Sequence, residues 1–335
     1  MKISIKQISD VTGFSPATIS NALNHKKGVN KETSAIIFKV AKDLGYIAEE
    51  KISKIKIVIY RRSGSVMEDS PFFALVMDGA ESECQTCGLD LVACYLDKRN
   101  SDYRDQIKWL LNDTTSGLII LGSELEEADL DLYRSSKCPI LLIDYWCNDM
   151  SFNGILADNT DSTRIAIEYL IKKGHKKIGY LRGRLRIYPF RARGKAFRST
   201  MTKHSLSIHT KHIVTVASSM DGSYRDMLAY LQTKPDLPTA FFADNDVIAL
   251  GAMKALQETG YRVPEDVSII GFDDLPFCEI TSPKLTTIRT VKRELGKMAV
   301  QKIMDMVKYG DDIKSKVLLS TTFVERDSVK DLTKE

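Results

Sequence analysis

Gln7-Ile8-Ser9-Asp10-Val11-Thr12-Gly13-Phe14-Ser15-Pro16-Ala17-Thr18-Ile19-Ser20-Asn21-Ala22-Leu23-Asn24 is the stretch from which the chain is best read. Apolar residues recur as Ile5, Ile8 and Val11, break at Gly13, and resume as Ile19, Ala22 and Leu23. That spacing predicts two short amphipathic helices joined by a tight turn. Ser4 is placed to cap the first helix and Ser15 the second, with Pro16 at the first helical position, where its missing N–H costs nothing. A third series follows as Ala35, Ile36, Phe38, Val40, Ala41 and Leu44, opened by Asn30 or Lys31 and closed by Gly45. Such a helix-turn-helix with a supporting helix is too small for catalysis. It suits laying its second helix in the major groove of DNA. The competing reading, a three-helix cap on an enzyme with a merely solvated basic face, fits less well. The outward face of the second helix carries Ala17, Thr18, Ser20 and Asn21, then Asn24-His25-Lys26-Lys27, none of them needing burial.

Charge distribution agrees. Residues 1–62 hold twelve Lys/Arg against five Asp/Glu, so of the net charge of +4 about +7 lies there and about −3 in the remainder. A basic head on a mildly acidic body points to a polyanion bound at one end. The sequence has no apolar run long enough to span a membrane, and Met1-Lys2-Ile3-Ser4-Ile5-Lys6 lacks a signal peptide's apolar core, so a cytoplasmic protein is expected. Cys84 and Cys87 form a lone C-x-x-C within a helical pattern. Cys94, Cys138, Cys147 and Cys278 are scattered, and all six are expected to be reduced thiols. His204, His209 and His212 are read as surface residues in a polar connection. No metal and no cofactor are expected.

From Ile55 onward short β-branched runs alternate with helical stretches. The runs are Ile55–Tyr60, Leu89–Cys94, Gly117–Leu121, Pro139–Ile143, Lys177–Leu181, His212–Val216, Thr239–Phe242 and Val267–Gly271. Helical segments fall near 73–87, 101–112, 161–173, 190–203, 221–233, 246–259 and 291–309. The alternation predicts parallel sheets covered on both faces, and the number of units predicts two doubly wound lobes with a ligand cleft between them. The sequence has no G-x-G-x-x-G after the first strand, no phosphate-binding P-loop and no G-x-S-x-G elbow, which argues against an enzyme. Asp244-Asn245-Asp246 and Gly271-Phe272-Asp273-Asp274 end strands, where a metal site, helix capping and sugar-hydroxyl binding are all open readings.

These residues together resemble the lactose-repressor (LacI/GalR) family of bacterial transcription factors over nearly the whole chain. The head matches through Ile5–Ser9, Gly13–Ser15, Thr18–Ser20, Leu23-Asn24, Val29-Asn30, Thr33 and Leu44–Tyr46. The body matches through Pro71–Phe73, Asp158-Asn159, His175–Ile178, Arg193 with Ala196-Phe197, Asn245-Asp246 with Ala249–Gly251, Val263–Asp274, and Pro283–Ile288. The resemblance implies a homodimer on a pseudo-palindromic operator, with a periplasmic-binding-protein-like core sensing a small molecule. It implies effector contacts at Arg193, Asn245 and Asp273, with aromatic walls from Phe72 or Phe73 and from Tyr145. For Phe72 and Phe73 core packing is the rival reading, and for Asp273 a helix cap.

On the DNA side, Pro16, Ala17, Ser20 and Asn21 are placed to read bases. Asn21 is suited to a bidentate contact with adenine, and Ala17 or the Thr18 methyl to thymine. Lys2, Lys6, Asn24, His25, Lys26 and Lys27 would hold phosphates, with Ser4, Ile5 and Ser15 on the same surface. Where family members carry a hinge helix with a leucine wedge, this chain has Ile47-Ala48-Glu49-Glu50-Lys51-Ile52-Ser53-Lys54. Without that leucine, less operator bending is expected. The expected divisions are 1–46 for the head, 47–54 for the linker and 55–330 for the core. Within the core the first lobe takes about 55–157 and 288–318, and the second about 158–285 and 321–330. The expected function is a repressor-type regulator controlled by a small molecule, best matched by a sugar. The alternatives are the same fold triggered by a partner protein, or an enzyme with an accessory DNA-binding head.

Overall fold

The structure is a computed structural model that describes residues 4–23, 29–44, 46, 52–63 and 71–334. It divides into two compact units, residues 1–52 and 53–335.

The first unit is three helices, α1 (Ile5–Thr12), α2 (Pro16–Leu23) and α3 (Lys31–Asp43). Local chemistry sets their ends. Gln7 Oε1 accepts from the Ser4 backbone N–H at 2.8 Å, Ser15 Oγ accepts from Thr18 N at 3.1 Å, and Asn30 Oδ1 accepts from Thr33 N at 2.7 Å. Gly13 ends α1 at φ +73°, a conformation in which a Cβ would be strained. The core is Ile8, Ile19, Ala22, Ile37 and Ala41, with Phe14 and Leu23 among those packed around it. Two residues depart from the apolar series read from the sequence. Val11 is 62% exposed and Ile36 49% exposed, while their places inside go to Phe14 and Ile37. On α1, eight residues present only two turns to the core, too few to bury every residue of the series; on the thirteen-residue α3 the buried stripe runs through Ile37 and Ala41, which turns Ile36 outward.

The second unit begins with β1 (Lys54–Arg61), α4 (Phe72–Cys87), β2 (Asp90–Asp97), α5 (Tyr103–Leu111), β3 (Ser116–Leu121), α6 (Glu127–Leu130), β4 (Ile140–Ile143) and β5 (Asn153–Ala157). It continues with α7 (Asn159–Lys172), β6 (Ile178–Gly183), α8 (Tyr188–Lys203), β7 (Ile213–Val216), α9 (Met220–Gln232), β8 (Ala240–Ala243), α10 (Asp246–Glu258) and β9 (Ser268–Ile270). Last come β10 (Thr287–Arg289), α11 (Lys292–Tyr309), β11 (Lys316–Leu319) and β12 (Thr322–Val324). One sheet runs β11-β5-β4-β3-β1-β2, and a second runs β7-β6-β8-β9. Every pairing within these two sheets is parallel; β10 and β12 form a separate antiparallel ribbon. The chain therefore leaves the first sheet after Ala157, returns after β10, and leaves again after β11. The first lobe is built on the six-stranded sheet and the second on the four-stranded one.

The interior strands are uniformly buried, as continuous apolar runs require in sheets covered on both faces. On the first lobe α4 and α11 approach so closely that a Cβ on Gly296 would lie 1.9 Å from the Val76 carbonyl oxygen. A Cβ on Gly79 would lie 2.0 Å from that of Arg293, so both positions require glycine. β5, β10, β11 and β12 were not foreseen from the sequence. They have only three to five residues each, and β11 carries Lys316 on an edge. All six cysteines are free thiols; Cys84, Cys138, Cys147 and Cys278 are buried. His212 is not a surface residue: it is 1% exposed, with Nε2 3.0 Å from the Asp236 carbonyl oxygen, and burial lowers its pKa. Among the described residues no helix is long and apolar enough to cross a membrane, and no cluster of three or more His, Cys, Asp or Glu is arranged to hold a metal ion.

Candidate functional site

On the head, Pro16 and Ala17 are exposed at the start of α2, with Thr18, Ser20 and Asn21 half-buried along it. Ile19 and Ala22 turn inward, as a 3.6-residue period requires. Ser4 is exposed and Ile5 half-buried at the start of α1. Ser15 spends its hydroxyl on the α2 cap, at 2.9 Å from Thr18 Oγ1. Lys2, Asn24, His25, Lys26, Lys27 and most of the linker lie outside the described residues.

In the core, one cavity of about 30 Å³ between the two lobes gathers residues from many separate segments. Phe72 and Phe73 come from the first turn of α4, Arg193 from α8, Asn245 from the cap of α10, and Asp273 from the turn after β9. All five were singled out from the sequence, and all five line this cavity. Phe72 and Phe73 are buried and meet edge to face with centroids 5.3 Å apart. Wall and core packing are here the same position. Asn245 has a double use, since its Oδ1 also accepts from Ile248 N at 3.0 Å to cap α10.

Arg193 is 4% exposed, and protein acceptors hold part of its guanidinium. Its Nε donates to Asn159 Oδ1 at 2.8 Å, Nη1 donates to the Asp244 carbonyl, and Nη2 lies 3.6 Å from Asp273 Oδ1. The guanidinium carbon sits 3.5 Å from the Phe272 ring centroid. Asp273 is no helix cap. Its φ of +115° turns the backbone so that its carbonyl accepts from Lys292 Nζ while the carboxylate faces Arg193. Burial pushes its pKa up to about 7, and Arg193 opposes that rise.

Three neighbours in the acidic stretches have structural partners instead. Asp244 accepts from Tyr180 Oη, Gly183 N and Arg186. Asp246 accepts from Leu275 N at 2.8 Å and Thr287 Oγ1 at 2.5 Å. Asp274 pairs with Arg289 and Arg326. These are buried acceptors that hold loops in place.

Tyr145 is not brought into the cavity. Its ring packs against Tyr188 at 5.7 Å and its Oη donates to Glu127 at 3.2 Å. Asp144, one residue earlier with φ +62°, takes the place instead and accepts from Ser123 Oγ at 3.4 Å. Burial raises the Asp144 pKa to about 6. Sequence reasoning also passed over Ser123, Ile187, Pro189 and Phe190, which complete the lining. For Asp144 the signal was present: like Asp244 and Asp273, it closely follows an apolar strand. The arrangement offers two carboxylates, an amide, a guanidinium and three aromatic rings, a set suited to a hydroxylated ligand with one apolar face.

The profile of the periplasmic binding protein-like domain matches residues 167–329. The HTH-type transcriptional repressor PurR of Haemophilus influenzae (strain PittEE) is 31% identical over 334 residues, spanning 98% of this chain and 99% of that one. Among solved structures, the complex of the transcriptional regulator CelR with cellobiose aligns over 98% of this chain and 100% of its own, with TM-score 0.74 and 20% identity. The Lac repressor dimer bound to operator and the anti-inducer ONPF covers the same shares, with TM-score 0.71 and 23% identity. A helix-turn-helix head, a core of two doubly wound lobes and this full-length likeness lead to one conclusion: the chain belongs to the LacI/GalR family, DNA-binding transcriptional repressors controlled by a ligand of the core.

Proposed function

We propose that the protein is a cytoplasmic, homodimeric repressor whose operator affinity is set by a sugar or sugar derivative bound between the lobes. The observation that carries this reading is the convergence of Phe72, Phe73 and Asp144 from one lobe with Arg193, Asn245 and Asp273 from the other on a single cavity. In this reading Asp144, Asp273 and Asn245 accept from sugar hydroxyls, Arg193 donates to ring or hydroxyl oxygens, and the phenylalanines cover the C–H face. A cavity of about 30 Å³ admits one water, whereas small-molecule sites run to roughly 300–1,000 Å³. Ligand entry therefore parts the lobes, about the crossings at Asp158, Thr286-Thr287 and Ser320-Thr321. The division into a head (1–46), a linker (47–54) and two lobes is part of the same proposal. So is base reading by Pro16, Ala17, Ser20 and Asn21.

A second copy is assigned to the apolar groove of about 740 Å³ that Leu250, Met253, Phe277 and Ile280 help to line, where Ile280 is 79% exposed. A ligand that favours one lobe arrangement would change the spacing of two heads across such a dimer. Its effect on operator affinity cannot exceed its differential affinity for the two arrangements. The test is operator binding by fluorescence anisotropy, with and without each member of a panel of sugars and sugar derivatives. A shift of about tenfold or more with one of them is expected. No shift with any, together with unchanged melting temperature throughout, would reject the sugar reading.

A further inference from the structure

A third cavity, of about 430 Å³, lies in the groove between α7 and α8 on the second lobe, apart from the interlobe site. Its wall on α8 is one helical face: Tyr188, Arg191, Lys195 and Ser199 recur at intervals of three and four residues. Ala192 and Ala196, from the same helix, are short and leave the floor open. α7 supplies Thr160 and Arg164.

The charges in this groove are only partly answered. Arg164 is shared between Asp161 and Glu168, at 3.3 and 2.9 Å. Arg191 donates to the Arg186 carbonyl oxygen at 2.7 Å, and neither it nor Lys195 forms an ion pair with a carboxylate among the described residues. These cations stand on a part of the chain that is acidic in sum, about −3 beyond residue 62. Arg193, on another face of the same helix, is by contrast buried, with protein acceptors on Nε and Nη1. Arg191 and Lys195 are exposed and line a cavity large enough for a metabolite.

We infer that this groove binds a small phosphorylated, hydroxylated molecule, with its phosphate on Arg191 and Lys195. Arg191 supplies a planar fork matched to phosphate oxygens and Lys195 a mobile point charge. The Thr160 and Ser199 hydroxyls donate to the remaining oxygens, and the Tyr188 ring forms an end wall. Tyr188 also touches the first lobe, 5.7 Å from the Tyr145 ring and 3.3 Å from Lys316 Nζ. A ligand here therefore bears on the seam between the lobes, giving the repressor a second input in which charge is read.

The experiment is calorimetric titration of the full chain with ribose 5-phosphate, ribose and inorganic phosphate, repeated on an Arg191→Gln/Lys195→Gln double variant and on Asp273→Asn. Both groove side chains are exposed, so the double variant is expected to fold; an unchanged melting temperature checks this. Ribose 5-phosphate should bind at least about tenfold more tightly than ribose, and the double variant should lose about tenfold or more of that affinity. Asp273→Asn should leave it unchanged. If Asp273→Asn abolishes the binding and the double variant keeps it, the phosphorylated molecule belongs to the interlobe cavity and the groove assignment falls. Absence of binding by either phosphate-bearing probe at millimolar concentration overturns it as well.

Discussion

The head and the interlobe cavity are opposite constructions. The head's proposed base readers lie on one face of an eight-residue helix within six consecutive residues, in a unit whose core has five buried side chains. The cavity takes its lining from residues as far apart as Phe72 and Asp273, gathered from several helices and strand ends. On the head, a contact residue can be changed without disturbing what supports it. In the cavity, two of the candidate ligand groups also hold the fold: Asn245 caps α10, and Arg193 ties α8 to Asn159 and to the Asp244 carbonyl.

The largest expected effect tests whether these two constructions are separable. Asp273→Ala removes a carboxylate that faces the cavity and supports no helix cap. It should abolish the response of operator affinity to effector, while ligand-free operator affinity stays within about threefold of wild type. Anisotropy titrations with and without effector measure both. A variant that still responds like wild type would remove Asp273 from the ligand site.

On the head the expected loss is smaller and depends on sequence. Asn21→Ala should cost about 1–3 kcal/mol on the operator and almost nothing on random DNA. Lys26→Ala or Lys27→Ala should weaken both DNAs alike. Equal losses on both DNAs from Asn21→Ala would make Asn21 a backbone contact.

Legibility in the sequence followed the same contrast. Helix starts in the head were readable because caps and turns are local: Ser15, Asn30 and Gly13 act on residues within a turn of themselves. Val11 and Ile36 were misread because periodicity gives a face but not how far the face reaches into so small a core. In the core, alternation revealed parallel sheets, and the family likeness led to five lining residues. Tyr145 failed because direction at a strand end depends on one backbone angle, φ at Asp144, which no pattern encodes. β10 and β12 were invisible since three-residue strands exist only through the partner that pairs with them.

Packing in the core gives a third contrast. Gly296→Ala places a methyl where the Val76 carbonyl already lies, so α4 and α11 must part. A cost of about 1–3 kcal/mol is expected, with a core melting transition lower by several degrees in calorimetry and random-DNA binding unchanged. An unchanged transition would mean that the two helices have room to move apart.

The smallest expected effect is electrostatic and belongs to the cavity alone. Asp144 and Asp273 have pKa values raised to about 6 and about 7 by burial, so the folded protein holds their protons more tightly than the unfolded chain does. For an acid shifted in this sense, the folded state binds more protons between the ordinary carboxylate pKa and the raised one. Stability contributed by the protonated groups is therefore complete below about pH 4 and is lost as pH rises through 6 to 7. Buried His175 and His212, with lowered pKa values, act in the opposite direction but are common to wild type and variant, so they cancel in a difference. Asp144→Asn keeps the shape and removes one titration. Relative to wild type, its melting temperature should rise by about a few degrees as pH goes from 5 to 7.5. A difference that stays flat across that range would mean that Asp144 remains ionised in the closed cleft, with Arg193 outweighing burial.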